Sequence, residues 1–268
     1  MDAHCAQHYD DGHRAHLGGS VIGERCLRKL WYAFRWMHRE QFDGRMQRLF
    51  NRGHLEELRI IEWLRGIGSV VYDVDAKGKQ FRIIGCDNHF GGALDGAIML
   101  PVRYNLPFIF LTEFKTHNDK SFKKLAKVGL IEAKPMHYDQ MCTYGSEPIY
   151  NLDYGIYFAM NKNDDDIYIE VIELDHVRGR RNVETKANGV IHSDKPPGRI
   201  SASAAYSDCL YCSMSGICHK GEPIDKNCRS CRNAKPVENG EWFCSHHAAI
   251  IPKDYIANGC DVWNGLEQ

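Results

Sequence analysis

Asp95, within Gly91-Gly92-Ala93-Leu94-Asp95-Gly96, and Glu113 and Lys115, within Phe108-Ile109-Phe110-Leu111-Thr112-Glu113-Phe114-Lys115, are the residues here whose types and spacing most directly suggest chemistry. Strand residues two apart point to one face, so Glu113 and Lys115 project together, and Asp95 on the preceding strand can reach the same point. Two carboxylates plus a main-chain carbonyl, here that of Phe114, suit a hard cation such as Mg²⁺ or Mn²⁺. Such an ion polarises a scissile phosphate and acidifies a bound water, and a nearby lysine orients that water or offsets developing charge. E-x-K alone is a weak signal, because glutamate and lysine alternate on many exposed strands. Its setting in an apolar run is what matters, since burying both charges needs a reason.

His54, in Arg52-Gly53-His54-Leu55-Glu56-Glu57, could add a nitrogen ligand to the ion held by Asp95 and Glu113. Gly53 beside it is costly in a helix interior unless close packing or access requires it. Glu57, one turn on, would face the same way. Gln140 and Tyr144 are spaced i, i+4 and share a helix face, where they contact substrate phosphate, support Lys115, or simply bond to each other.

Cysteine supplies a second kind of chemistry. Cys26 stands near the start, and Cys209, Cys212 and Cys218 follow at C-x2-C-x5-C spacing near the end. Thiolates so far apart share a centre only if the fold joins both ends of the chain. Four thiolates could hold Zn²⁺ or an iron–sulfur cluster, and ligand count does not choose between them. A later set, Cys228, Cys231, Cys244 and Cys260, has zinc-ribbon-like spacing and could close a tetrahedral Zn²⁺ site, with His246 and His247 as competing ligands for the last position. Such a module folds a segment too small for its own core, and could touch nucleic acid or a protein partner.

Composition bounds these readings. At 268 residues, with 43% hydrophobic and 26% charged residues, the chain suits one large domain with a small appendage. The formal net charge is −1, so any nucleic-acid surface must be a local basic strip. One such strip runs over 25–52; another includes Lys120, Lys123, Lys124 and Lys127. Eleven cysteines, no signal peptide and no long apolar run point to a reduced cytoplasmic setting and no membrane. In that setting clustered cysteines bind metal more often than they form disulfides. Cys5, Cys86 and Cys142 read as ordinary small side chains. No G-x-x-x-x-G-K-[ST] loop is present, which argues against an ATP-driven motor.

The elements that must position these residues follow from periodicity. Ser20 is the expected N-cap of a helix over Val21–Arg35, and a second helix spans Met46–Leu64 with Phe50, Leu55, Leu58, Ile61 and Leu64 as its apolar set. Strands are expected at Val70–Val74, Gln80–Cys86, Phe90–Met99 and Phe108–Lys115, the last two separated by Pro101–Pro107. The lysine-rich 118–130 is helical, and Pro135 opens a helix to Tyr144. Leu152–Met160 and Ile167–Ile172 form the last strand pair, 174–192 is helical, and Pro196-Pro197-Gly198 begins a linker. Residues 1–19 read as a disordered or loosely docked arm, 20–224 as the main domain and 225–268 as the cysteine module.

The order His54, Asp95, Glu113-Phe114-Lys115, then Gln140-Met141-Cys142-Thr143-Tyr144 resembles the RecB-type branch of the PD-(D/E)xK nuclease superfamily. Cys26 with Cys209, Cys212 and Cys218, and the opening Ser20–Tyr32, resemble the iron–sulfur members of that branch, including the CRISPR-associated RecB-like exonucleases. The likeness covers about residues 20–220, with Leu94 where the superfamily name has proline. It implies an α/β fold with a central mixed sheet flanked by helices, one or two divalent ions and exonucleolytic DNA cleavage. With the split spacing, it favours [4Fe–4S] at the first cysteine set, as a structural staple. Asp95, Glu113 and Lys115 then form the catalytic set, Gln140 and Tyr144 engage substrate, and Lys120, Lys123 and Lys124 track the backbone of single-stranded or frayed DNA. The additional cysteine module inclines the reading towards phage or bacterial recombination and repair. Spacer processing in CRISPR adaptation and a non-catalytic nucleic-acid adaptor on the same scaffold are the alternatives.

Overall fold

The protein was analysed as a computed structural model that describes residues 1–10, 12–106 and 108–267. Asp11 of the expected arm, Pro107 of the expected strand separator and Gln268 of the expected module lie outside the described residues. The fold is mixed α/β and divides into two compact units, one of Met1–Asp11, Phe42–Ile83 and Gly92–Asn182, the other of Gly12–Gln41, Ile84–Gly91 and Val183–Gln268. The boundaries read from sequence at 19/20 and 224/225 do not coincide with this division.

The first unit is built on five strands in sequence order: β1 (Val70–Tyr72), β2 (Gly96–Met99), β3 (Ile109–His117), β4 (Tyr154–Asn161) and β5 (Ile167–Glu173). Neighbours are antiparallel except β3 and β4, which run parallel with Glu113 opposite Tyr157 and Lys115 opposite Ala159. Its helices are α1 (Asp2–His8), α2 (Gly44–Gly66), α3 (Asp119–Ala133), α4 (Pro135–Gly145) and α5 (His176–Arg181). Alternation along β3 assigns its two faces. Phe110 and Phe114 pack with Ile156, Phe158 and Met160 against Ile60, Ile61 and Leu64 of α2. Burying each such side chain contributes about 1.5–3 kcal/mol. The odd-numbered Glu113, Lys115 and His117 take the opposite face.

Several expectations are corrected here. The apolar face of α2 uses Ile60, Ile61 and Leu64, whereas Phe50, Leu55 and Leu58 are exposed. At 100° per residue, positions 55 and 58 turn away from the stripe through 57, 61 and 64. The helix also starts earlier than Met46, because Asp43 caps it by accepting from the Met46 N–H at 2.8 Å. Of the two readings of the arm, docked holds over residues 2–8, which form α1 against α2, with Asp2 bonded to Arg48 at 2.5 Å and Cys5 buried. The expected strand Phe90–Met99 is two strands, Phe90–Ala93 and β2, broken at Leu94-Asp95. Gly96 makes that break, with φ of 149° and a missing Cβ that would crowd Thr112 Oγ1 and the Tyr72 carbonyl at 3.2 Å each.

In the second unit the expected helix over Val21–Arg35 begins only at Leu27, and Cys26 sits at its N-cap in extended conformation. That helix, Leu27–Phe34, buries Leu30, Trp31, Tyr32 and Phe34. A small antiparallel sheet joins Ala234–Pro236, Trp242–Cys244 and Ala249–Ile250, with Trp242 buried against Phe34. The helix expected over 174–192 is three pieces, α5 of the first unit, then Asn182–Ala187 of π type and Asn188–His192. Among the described residues no helix is long and apolar enough to cross a membrane.

Candidate functional site

The break before β2 aims Asp95 at β3, where its Oδ2 accepts the Phe114 N–H at 2.9 Å. Lys115 Nζ stands 3.8 Å from that same oxygen and pairs closely with Glu113 Oε1. Gln140, from α4, donates Nε2–H to Glu113 Oε2 at 2.9 Å. Glu113 is entirely buried and Asp95 and Lys115 are partly so. Asp95, Glu113 and Lys115 therefore come together, with Phe114 contributing its N–H to Asp95.

Charge balance at this point is uneven. Burial pushes Glu113 up to about 8, Lys115 pulls it back, and Asp95 and Glu57 push it further up. Burial likewise lifts Glu57 to about 7, reinforced by Asp95 and opposed by Lys115. Lys115 itself is held above the ordinary lysine range, because the pull of Glu113 and Asp95 outweighs its own desolvation. One lysine thus faces three carboxylates.

His54 is exposed on α2, and no hydrogen bond or ion pair among the described residues links it to Asp95 or Glu113. Glu57, one turn later, is the α2 side chain that senses the site, and Gln80 donates to it at 3.3 Å. Gln140 supports Glu113. Tyr144 is buried, and a Cβ at Gly92 would overlap its hydroxyl. Lys120, Lys123 and Lys124 are exposed on α3, with Lys123 paired to Asp119 at 2.9 Å.

Beyond Lys115 the polar face continues through residues the sequence reading passed over. Tyr157 Oη stands 2.9 Å from His117 Nε2 and 2.7 Å from His137 Nδ1. Burial drives His117 down to about 4 and His137 to about 3, with Lys115 and Lys134 adding repulsion. The signal was available in part, since His117 extends the alternation Glu113-x-Lys115-x-His117. Nothing local in the sequence announces Tyr157, which reaches the line only through parallel pairing.

In the second unit Cys26, Cys209, Cys212 and Cys218 line one cavity together with Arg28, Lys29 and Tyr32. Burial raises the Cys209 thiol, and crowding by Cys26, Cys218 and Cys212 raises it further. Burial raises the Cys212 thiol as well, tempered by the Met214 N–H and by Lys29. Cys228, Cys231, Cys244 and Cys260 line a separate cavity of about 220 Å³ with His247 and Trp263. Burial and then Cys260, Cys231 and Cys244 push the Cys228 thiol up. Among the described residues no three His, Cys, Asp or Glu side chains converge closely enough to grip a single ion. Each cysteine set is nevertheless gathered around its own cavity, and thiols so crowded ionise readily only if a cation shares them.

No protein-family profile matches the chain. No curated protein matches it significantly in sequence. Among solved structures, one titled "Crystal structure of SSO0001" is similar over 78% of this chain and 88% of its own, with 17% identity and a TM-score of 0.43.

Proposed function

We propose that the chain is a divalent-metal-dependent DNA exonuclease on a PD-(D/E)xK-type core, acting on single-stranded or frayed ends. The observation that carries this reading is the burial of Glu113 beside Lys115 and Asp95 on a central strand. A buried ion pair adds little to stability, so a structural account leaves this cluster without a purpose. A purely structural pair would also match one acid with one base. Here Asp95, Glu113 and Glu57 share one lysine, and burial keeps Glu113 and Glu57 partly protonated, so a hard cation that ionised them would relieve the site.

Asp95 and Glu113 are the residues that would hold Mg²⁺ or Mn²⁺, with the Phe114 carbonyl as a further donor; His54, exposed on α2, would join them only after turning towards the site. When bound, the ion supplies Lewis-acid polarisation of the phosphate and acidification of a water. Lys115 offsets charge developing on the phosphate or orients the attacking water. Gln140 fixes the Glu113 carboxylate, Tyr144 shapes the wall beneath Gly92, and Lys120, Lys123 and Lys124 attract the DNA backbone. Cys26, Cys209, Cys212 and Cys218 would hold a [4Fe–4S] cluster that ties the 209–218 segment to the helix starting at Leu27. Cys228, Cys231, Cys244 and Cys260 would hold Zn²⁺ and fold the tail, which is free to recruit a protein partner.

The test is incubation of pure protein with 5′- and 3′-labelled single- and double-stranded DNA, with Mg²⁺, with Mn²⁺, or with chelator alone. Progressive shortening from an end that requires the ion, and disappears in Asp95→Ala and Glu113→Ala, is expected. Cleavage that persists in chelator would overturn the reading.

A further inference from the structure

Arg35, at the end of the helix Leu27–Phe34, is 1% exposed, yet no carboxylate reaches it within ion-pair distance among the described residues. Its Nη1 donates to the Ala234 carbonyl at 3.0 Å and its Nη2 to the Ser193 carbonyl at 3.2 Å, while Nε has no partner. The rings of Trp31 and Trp242 flank the guanidinium at 5.6 and 5.1 Å. A buried cation left in this state is costly unless a counter-ion joins it. Burial brings Arg35 down to about 10, with Asp194 pulling weakly the other way.

Arg35 also lines a cavity of about 280 Å³, whose other charged walls are Asp194, Lys195, Arg232, Lys235 and Glu267. Four cations therefore face two carboxylates. Those carboxylates are held only loosely: Lys235 meets Asp194 at 3.6 Å and Arg232 meets Glu267 at 3.3 Å, with every partner more than half exposed. Exposed pairs of this kind are weak and exchange readily for a better anion. The volume lies just below the roughly 300–1,000 Å³ of drug-sized ligand sites and suits a single phosphorylated unit.

We propose that this cavity is a phosphate-binding pocket. Arg35 supplies a fixed, desolvated charge at its floor, and Arg232, Lys235 and Lys195 supply mobile donors at its mouth. Guanidinium forks match phosphate oxygens in pairs, and the half-exposed Arg232 presents such a fork at the mouth. The phosphate belongs either to a DNA strand or to a free mononucleotide. The DNA source rests on the nuclease reading; the pocket itself does not.

The experiment uses full-length protein in chelator, so that no cleavage intervenes and the outcome does not depend on catalysis. Binding of a 3′-fluorescent, 5′-phosphorylated single-stranded oligonucleotide is followed by anisotropy, and binding of dAMP and of inorganic phosphate by calorimetry. Wild type is compared with the double variant Arg232→Ala/Lys235→Ala, both exposed positions whose removal leaves the melting temperature within error. If DNA supplies the phosphate, the double variant binds the oligonucleotide at least about tenfold more weakly, and its log–log salt slope shrinks by about 1.4, or ~0.7 for each lost contact. If a free nucleotide supplies it, dAMP and phosphate lose affinity while the oligonucleotide does not. Arg35→Lys, which keeps the charge but loses the fork, should weaken the same ligand. Unchanged affinity for all three ligands in a folded double variant would overturn the proposal.

Discussion

Gly53→Ala separates what the fold needs at the proposed site from what the function needs. Gly53 lies inside α2, where glycine is about 1 kcal/mol worse than alanine. Close packing does not account for it, because a Cβ built there meets no heavy atom within 4 Å. Its φ is not positive either, so the backbone needs no glycine. Alanine should therefore raise stability by about 0.5–1 kcal/mol, which for a chain of this size is a rise in Tm of roughly 1–4 °C. Function should move the other way. Gly53 and Glu57 are one turn apart on the same helix face, and Glu57 is the α2 carboxylate influenced by Asp95 and Lys115. The open space over Gly53 is thus a place where substrate or hydrated ion can approach. Calorimetric melting and steady-state DNA cleavage on the same preparation give both numbers. A higher Tm with several-fold slower cleavage or weaker DNA binding is expected. A lower Tm would refute the packing argument, and a higher Tm with unchanged cleavage and binding would refute the role assigned to the space.

Three further outcomes follow from contacts already described. Because His117 is held near 4, below its ordinary 6.5, its stabilisation is complete above pH 6.5 and is lost as pH falls from 6.5 towards 4, by about 1.4 kcal/mol per unit. The stability gap between wild type and His117→Gln should therefore narrow across that window in denaturant titrations, and parallel curves would contradict the assignment. Gly92→Ala drives a methyl into the buried Tyr144 ring and should cost about 1–3 kcal/mol, partly relieved by Tyr144→Phe, so strictly additive effects would exclude this contact. Arg229 is buried among Phe34, Trp36 and Trp242 at 4.5, 4.4 and 4.7 Å, so it fills space as much as it carries charge. Arg229→Ala should cost about 2–5 kcal/mol on thermal unfolding and Arg229→Met much less, whereas equal losses would show that the charge, not the volume, matters.

What the sequence made legible had strong local period or strong punctuation. The apolar run around Glu113-x-Lys115 announced a buried strand, Pro135 marked a helix start, and the alternation of Leu152–Met160 and Ile167–Ile172 marked the final strand pair. The clustering of Cys209 with Cys212 and of Cys228 with Cys231 was readable from local spacing, whereas Cys26 reaches the first cavity and Cys244 and Cys260 the second only through tertiary folding. Other features depended on tertiary context. The onset of the first long helix at Leu27 rather than Val21 follows from the extended conformation of Cys26, which no propensity dictates. Leu55 and Leu58 look like core residues by type, yet α2 turns them outward because the sheet covers only the stripe through Ile60, Ile61 and Leu64. Asp95 was expected within a strand; its reach to Phe114 comes from the break that Gly96 allows. The partnership of Gln140 with Glu113 joins residues 27 positions apart and has no signature in either segment.

Lys115 offers the most direct test of the central claim, because it stands against Glu113 and within 3.8 Å of Asp95 without being one of the carboxylates that would bind an ion. Wild type and Lys115→Ala, purified identically, are compared for Mn²⁺-dependent shortening of labelled single-stranded DNA and for DNA binding in chelator. A loss of about 10²–10³-fold in cleavage with binding preserved is the predicted result, the size expected when one charge-stabilising donor is removed. Lys115→Ala protein that shortens DNA as fast as wild type would contradict the account.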